Sequence, residues 1–248
     1  MSADRAVVVT GTPRPELADL DALAGFGVAT VHEALGRDGY LGPRLRPIQQ
    51  GRRIAGSAVT AVCWPGDNLM IHVAVEQCRP GDLLVITTTS PCQDGLFGEL
   101  FATALQHRGV RGVVTTTGIR DTAELRAMDF PAWSAAVSAQ GSVKATAGAV
   151  NVPVSIGGRT IRPGDAILAD DDGVMVVPRG RIGEALTAAQ AREDKEEATR
   201  AAFRTGELGL DRYGMRPLLD RLGVRYLTAQ EWQREHEQEA GGLEASGE

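Results

Sequence analysis

The tetrapeptide Arg-Pro-Gly-Asp occurs twice, as Arg79-Pro80-Gly81-Asp82 and as Arg162-Pro163-Gly164-Asp165, and each time an apolar run of strand length follows. Proline presets the first central angle of a tight turn and glycine accepts the positive one, so each tetrapeptide starts a strand rather than forming a site. The two strands, Leu83–Ile86 and Ala166–Ala169, sit in different surroundings. Before and after the first, strands and helices alternate. An edge strand is expected over Ala6–Thr10, a helix over Pro15–Gly25 with Leu17, Leu20 and Leu23 at helical spacing, and a short helix over Thr30–Leu35. Ile54–Val62 reads as a strand closed by the turn Pro65-Gly66, and Asp67 or Asn68 caps a helix through Gln77. A helix over Gly98–Arg108, a strand over Val113–Thr116 and a helix over Thr122–Met128 continue the alternation. Around the second tetrapeptide strands pair locally: Ala166–Ala169 and Val174–Val177 flank Asp170-Asp171-Asp172-Gly173, which is a hairpin by its turn chemistry. Arg181 to about Arg204 reads as one long helix. No repeat of 20–50 residues is visible. The expectation is an α/β chain with a mixed sheet and helices outside it, one domain over residues 1–233 and a disordered tail over 234–248.

Charge narrows the partners. Lysine plus arginine total 26 against 32 acidic residues, a net charge of -6, with no basic run or aromatic-spaced basic stripe. No nucleic-acid partner is expected, and a small molecule is. The opening residues Met1-Ser2-Ala3-Asp4-Arg5 lack a signal-peptide pattern and no apolar run reaches membrane-spanning length, so no membrane is expected either. Cys63, Cys78 and Cys92 share no CxxC spacing, which suits free, inert thiols in a reducing cytoplasm. Four histidines without an HExxH motif argue against a His-rich zinc site.

Chemistry concentrates between Gly98-Glu99-Leu100 and Gly118-Ile119-Arg120-Asp121. Twenty residues separate Glu99 from Arg120, room for a helix, a strand and two turns. Such a unit sets a helix N-terminus beside the carboxyl end of a strand, where α/β proteins bind ligands. The helix end offers open N–H groups to a carboxylate, Arg120 offers a planar cation, and Asp121 offers a hard oxygen to a metal. The plainer alternative is a capping box, with Asp121 as N-cap and Glu124 reaching back, and Glu99 as a favourable first-turn acid.

The stretches Gly66–His72, Asp94–Leu100, Gly118–Asp121, Val143–Val154, Ala169–Val174 and Gly206–Asp211 occur in the order of one family. Together they resemble the 4-carboxy-4-hydroxy-2-oxoadipate / 4-hydroxy-4-methyl-2-oxoglutarate aldolases, class II pyruvate aldolases of the RraA-like superfamily. The resemblance runs from about Val28 to Tyr226. It implies a mixed-sheet αββα sandwich of the swivelling β/β/α type with a long C-terminal helix. It implies Mg2+ or Mn2+ on Asp121, Arg120 on the pyruvyl carbonyl oxygen, and the amides of Leu100 and Phe101, after Gly98, on the pyruvyl carboxylate. It also implies that Glu99 orients the metal's waters, and that a homotrimer or homohexamer brings Glu196 from a neighbouring subunit. The activity implied is retro-aldol cleavage to pyruvate and oxaloacetate, or to two pyruvates, with oxaloacetate decarboxylation at the same site.

Two positions depart from the family: Glu99 stands where aspartate is usual, and Thr116-Thr117 where Asp-Gly or Asp-Ala is common. Helix spacing puts Asn68 and His72 on one face, able to line the pocket. Arg192/Glu196 and Glu193/Glu197 are also ordinary i,i+4 surface positions. Asp170-Asp171-Asp172 is explained by its turn, and His32-Glu33 has no role legible from the residues. The alternatives of another class are a non-enzymatic RraA-type regulator that binds a ribonuclease, against which the paired Arg120 and Asp121 argue, and a methyltransferase, for which no Gly-x-Gly-x-Gly follows an early strand.

Overall fold

The computed structural model describes residues 6–235. In chain order the strands are β1 (Val7–Val8), β2 (Arg46–Pro47), β3 (Ile54–Cys63), β4 (Asp82–Thr88), β5 (Gly95–Phe97), β6 (Gly112–Ile119), β7 (Ala132–Val137), β8 (Ala149–Val150), β9 (Val154–Ile156), β10 (Arg159–Ile161), β11 (Ala166–Asp170) and β12 (Gly173–Val177). The helices are α1 (Leu17–Ala24), α2 (Val28–Ala34), α3 (Leu69–Gln77), α4 (Glu99–His107), α5 (Thr122–Ala127), α6 (Ile182–Arg204), α7 (Gly209–Arg212) and α8 (Arg216–Arg221). Strands β3, β4, β6 and β7 run parallel, while β11 pairs antiparallel with both β3 and β12. The sheet is therefore mixed, with β1 at one end of its path and β2 at the other. Strands β9 and β10 form a separate antiparallel pair.

Alternation along each strand decides the layers. On β3 and β4, Val59, Ala61, Leu84 and Ile86 face a core shared with Met70 and Ile71 of α3, Leu105 of α4 and Leu125 of α5. Their neighbours Ala58, Val62, Leu83 and Val85 face a second core, built with Ile167, Ala169, Val174 and Val176 of the hairpin and with Trp133. The hairpin's other face, Ala166, Leu168, Met175 and Val177, packs on Leu20, Leu23, Val31 and Ile182 from α1, α2 and α6. Helices, the parallel part of the sheet, the β11–β12 hairpin folded over it and further helices follow one another in four layers, the expected αββα sandwich.

The twin turns behave alike. Gly81 and Gly164 take φ of 86° and 87°, which glycine alone adopts freely. In each turn the aspartate carboxylate accepts the arginine N–H three residues back, at 2.7 Å for Asp82 and 2.8 Å for Asp165. Buried Asp82 also holds Arg14 through two bonds of 2.7 and 2.8 Å.

The described chain forms two compact units, one up to Asp194 and one from Lys195, with the boundary inside α6. In the second, Thr228 and Glu231 exchange N–H bonds as a capping box at the start of a helical stretch over 229–235. That stretch takes in the first two residues of the tail expected to be disordered, and the rest of the tail lies outside the described residues. No described helix is long and apolar enough to cross a membrane.

Helix α3 starts on Asp67 rather than on Asn68. Asn68 is the N-cap by position but makes no side-chain cap bond, and the Leu69 N–H donates to Asp67 Oδ1 at 2.9 Å instead. Oδ2 of the same carboxylate accepts the N–H groups of Ala145 and Thr146 at 2.8 and 2.7 Å, strapping that loop to the helix. Burial alone would push the Asp67 carboxyl up, but the N–H donors of Leu69, Ala145 and Thr146 outweigh it and hold it below the ordinary carboxylate range. Asp67→Asn loses acceptor capacity for these donors and should cost about 2 kcal/mol in urea unfolding at neutral pH. Because the folded value is the lower one, the wild-type advantage is complete above the ordinary carboxylate range. It should fade as pH falls through the lowered value, so an advantage that grows on acidification would contradict the assignment.

Candidate active site

Strands β5 and β6 are parallel neighbours, in register at Gly95 with Gly118 and Phe97 with Ile119. Each runs at its carboxyl end into a helix: β5 through Gly98 into α4, and β6 through Arg120-Asp121 into α5. The Arg120 N–H donates to the Phe97 carbonyl at 2.9 Å and locks the two exits together. Asp121 adopts the left-handed conformation, φ 53° and ψ 41°, which aspartate tolerates better than most residues. That backbone turns its carboxylate away from α5, which receives no side-chain cap bond, and toward α4, where Oδ2 accepts the Glu99 N–H at 3.1 Å. The capping-box reading of Asp121 therefore fails on geometry. A Cβ on Gly98 would stand 2.4 Å from Asp121 Oδ2 and 2.9 Å from Arg120 Cγ, so the close approach requires glycine there.

These exits border a cleft of about 180 Å³. Asn68, His72, Gly98, Leu100, Phe101, Arg120 and Asp121 all line it, which brings together seven residues singled out from the sequence. Glu99 joins them through its backbone bond to Asp121, while its carboxylate turns along α4 and accepts the Thr103 hydroxyl at 2.6 Å. Glu196 lies on α6 in the second compact unit. Among the other lining residues is Lys144, to which the sequence reading gave no role although it lies inside a matched stretch. Its loop is held by Asp67 and by the Asn68 N–H to the Val143 carbonyl.

Residues lining this cleft carry open hydrogen-bonding capacity. Among the described residues the N–H groups of Leu100 and Phe101 have no acceptor, as the first turn of a helix dictates. Asn68 is buried at 6% exposure; its amide nitrogen donates to the Leu96 carbonyl and its side-chain oxygen has no partner. The Arg120 and Asp121 side chains remain 44% and 39% exposed, with Nε and Oδ2 3.6 Å apart. His72 packs its ring on Phe101 at a centroid distance of 4.5 Å. Desolvation of the packed part of the ring, and then the charge of Lys144, push its pKa below the ordinary value.

Other candidates fall outside. Asp170 and Gly173 end the hairpin strands, and the Asp170 carboxylate accepts the N–H groups of Val28 and Asp172. His32 sets Nδ1 3.1 Å from the Asp38 carbonyl. Burial pushes the Cys63 and Cys78 thiols up to about 12, far from thiolate reactivity at neutral pH.

The donor set fits some metals and not others. Among the described residues no three His, Cys, Asp or Glu side chains gather as an all-protein ligand cage. Asp121 offers a half-exposed carboxylate whose Oδ1 has no partner among the described residues, beside open cleft volume. A hard cation that binds one carboxylate and fills its other positions with water and ligand oxygens, as Mg2+ or Mn2+ does, fits such a site.

The layered sheet with a polar cleft at parallel strand ends defines an α/β protein. The chain belongs to the RraA-like family, described as Aldolase/RraA, whose model matches residues 28–176. It is 31% identical over 169 residues to a Halalkalibacterium halodurans protein named "Putative 4-hydroxy-4-methyl-2-oxoglutarate aldolase", covering 68% of this chain and 80% of that one. A Burkholderia multivorans protein of the same name is 36% identical over 136 residues, 55% of this chain and 82% of that one. Among solved structures, Streptomyces coelicolor RraAS2, described as an unusual member of the RNase ES inhibitor RraA protein family, superposes with a TM-score of 0.68 at 27% identity. That match covers 76% of this chain and 98% of the other.

An NMR titration of His72 should give a midpoint below the ordinary 6.5. Lys144→Met should raise that midpoint only partway, because desolvation is the larger cause. A midpoint above 6.5 in the wild type would contradict the described packing.

Proposed function

We propose that this protein is a divalent-metal-dependent carbon–carbon lyase that cleaves 4-carboxy-4-hydroxy-2-oxoadipate to pyruvate and oxaloacetate. It would also cleave 4-hydroxy-4-methyl-2-oxoglutarate to pyruvate and decarboxylate oxaloacetate. The observation that carries the reading is the convergence on one cleft of two open α4 amides, the Arg120 guanidinium and the Asp121 carboxylate. The names of the two aldolase relatives support it at the level of reaction class.

In this reading the Leu100 and Phe101 N–H groups and the α4 dipole bind the substrate's 2-oxo carboxylate. Arg120 donates to the 2-oxo oxygen. As the C3–C4 bond breaks, its electron pair moves into the pyruvyl half and negative charge grows on that oxygen, so the Arg120 bond strengthens toward the transition state. Glu99 orients the water that takes the C4 hydroxyl proton. Asp121 would hold a divalent ion, which would supply further positive charge for the enolate. Losing CO2 from oxaloacetate leaves the same pyruvate enolate, so one set of contacts serves both reactions. Asn68 and His72 line the substrate's distal side.

Pyruvate release from oxaloacetate, measured with and without Mg2+, tests the reading. Metal-stimulated release is expected, and Arg120→Lys should lower kcat on the order of 10²-fold, because lysine keeps the charge and loses the planar fork. The Streptomyces coelicolor relative's description favours a second reading, a regulator that binds a ribonuclease. A folded, Mg2+-loaded chain inert toward all three substrates would favour it.

The reading includes a homotrimer or homohexamer in which Glu196 reaches a neighbour's cleft. Mixing inactive Asp121→Asn chains with inactive Glu196→Gln chains, with subunit exchange proven, should restore part of the activity. No rescue, or an active monomer by light scattering, would remove Glu196 from the mechanism.

A further inference from the structure

Glu99 is the first residue of α4, and its main chain is fixed: its N–H is held by Asp121 Oδ2 at 3.1 Å. Its side chain still has three torsions, and at a half-exposed helix start nothing in its own backbone selects among their rotamers. The selecting contact comes from one turn on. Thr103, four residues later and on the same helix face, donates its hydroxyl to Glu99 Oε1 at 2.6 Å. A short bond to a charged acceptor is among the stronger side-chain contacts available at a surface. Thr103 itself is exposed and β-branched, so its χ1 is stiff and its hydroxyl is presented in few orientations. Glu99 is thereby held at both ends, its N–H by Asp121 and its Oε1 by Thr103.

We propose that Thr103 is a positioning residue, setting the reach and orientation of the Glu99 carboxylate at the start of α4, the helix whose first N–H is bonded to Asp121. The inference rests on the reading of Glu99 as the group that orients the proton-accepting water. Thr103 touches neither substrate nor reacting atoms, and it acts only through Glu99.

The test is pyruvate release from oxaloacetate with Mg2+, in a cycle of Thr103→Val, Glu99→Ala and the double variant, with Thr103→Ser alongside. Valine keeps the shape and branching of threonine and removes only the hydroxyl. Because Thr103 is exposed, the folded state should be kept, which circular dichroism checks. Thr103→Val should lower kcat on the order of 10-fold, as a misplaced catalytic contact does, with KM changed less than about 2-fold. Thr103→Ser should recover most of the loss, and Thr103→Val should add nothing in the Glu99→Ala background. Full kcat in Thr103→Val beside a damaged Glu99→Ala overturns this inference and leaves the role of Glu99 standing. Losses that add in the double variant also overturn it, since Thr103 would then act by another route. A fully active Glu99→Ala overturns the underlying reading of Glu99 instead.

Discussion

The bond between the Asp121 carboxylate and the Glu99 N–H organises the candidate site. It spans twenty-two positions in sequence and joins the exits of two parallel strands. Three conditions make it possible. Asp121 takes a left-handed backbone, Gly98 carries no side chain, and the Arg120 N–H fixes the strand exits through the Phe97 carbonyl. With all three in place, an anion-attracting helix start, a guanidinium and a carboxylate share one cleft, which is the combination that a 2-oxo acid and a hard cation need together.

The layers anchor the strands that lead to these exits. β4 and β6 bury both faces, one against α3, α4 and α5 and the other against the β11–β12 hairpin. Parallel strands covered on both sides are largely apolar, and the threonine hydroxyls of Thr115, Thr116 and Thr117 inside β6 are bonded to neighbouring threonines rather than open. The loop carrying Lys144 lacks such cover, and its position depends instead on the Asp67 carboxylate, which trades its own burial against three backbone donors.

Much of this was legible in the residues. The two Arg-Pro-Gly-Asp turns and the Asp170–Gly173 hairpin rest on local chemistry, and they formed where turn rules put them. Strand β7 was missed because Ala132-Trp133-Ser134-Ala135-Ala136-Val137 has no β-branched run, and its extended form comes from pairing with β6. Asp121 was ambiguous for a different reason: an aspartate before a helix serves equally as cap or ligand. Only its φ and a partner far back in the chain decide, and neither is a property of the local sequence. Lys144 was passed over because a lysine in a loop is ordinarily solvated, and its closeness to His72 is tertiary.

The central claim is that Asp121 and the α4 amides together hold a divalent ion and a 2-oxo acid. Oxalate has the planar dioxygen geometry of the pyruvate enolate, so calorimetric titration of Mn2+ with and without oxalate tests the claim directly. Oxalate should tighten Mn2+ binding, and by linkage Mn2+ should tighten oxalate binding by the same factor. Both effects should vanish in folded Asp121→Asn. Mn2+ and oxalate binding that is uncoupled, or coupling that survives Asp121→Asn, would contradict it.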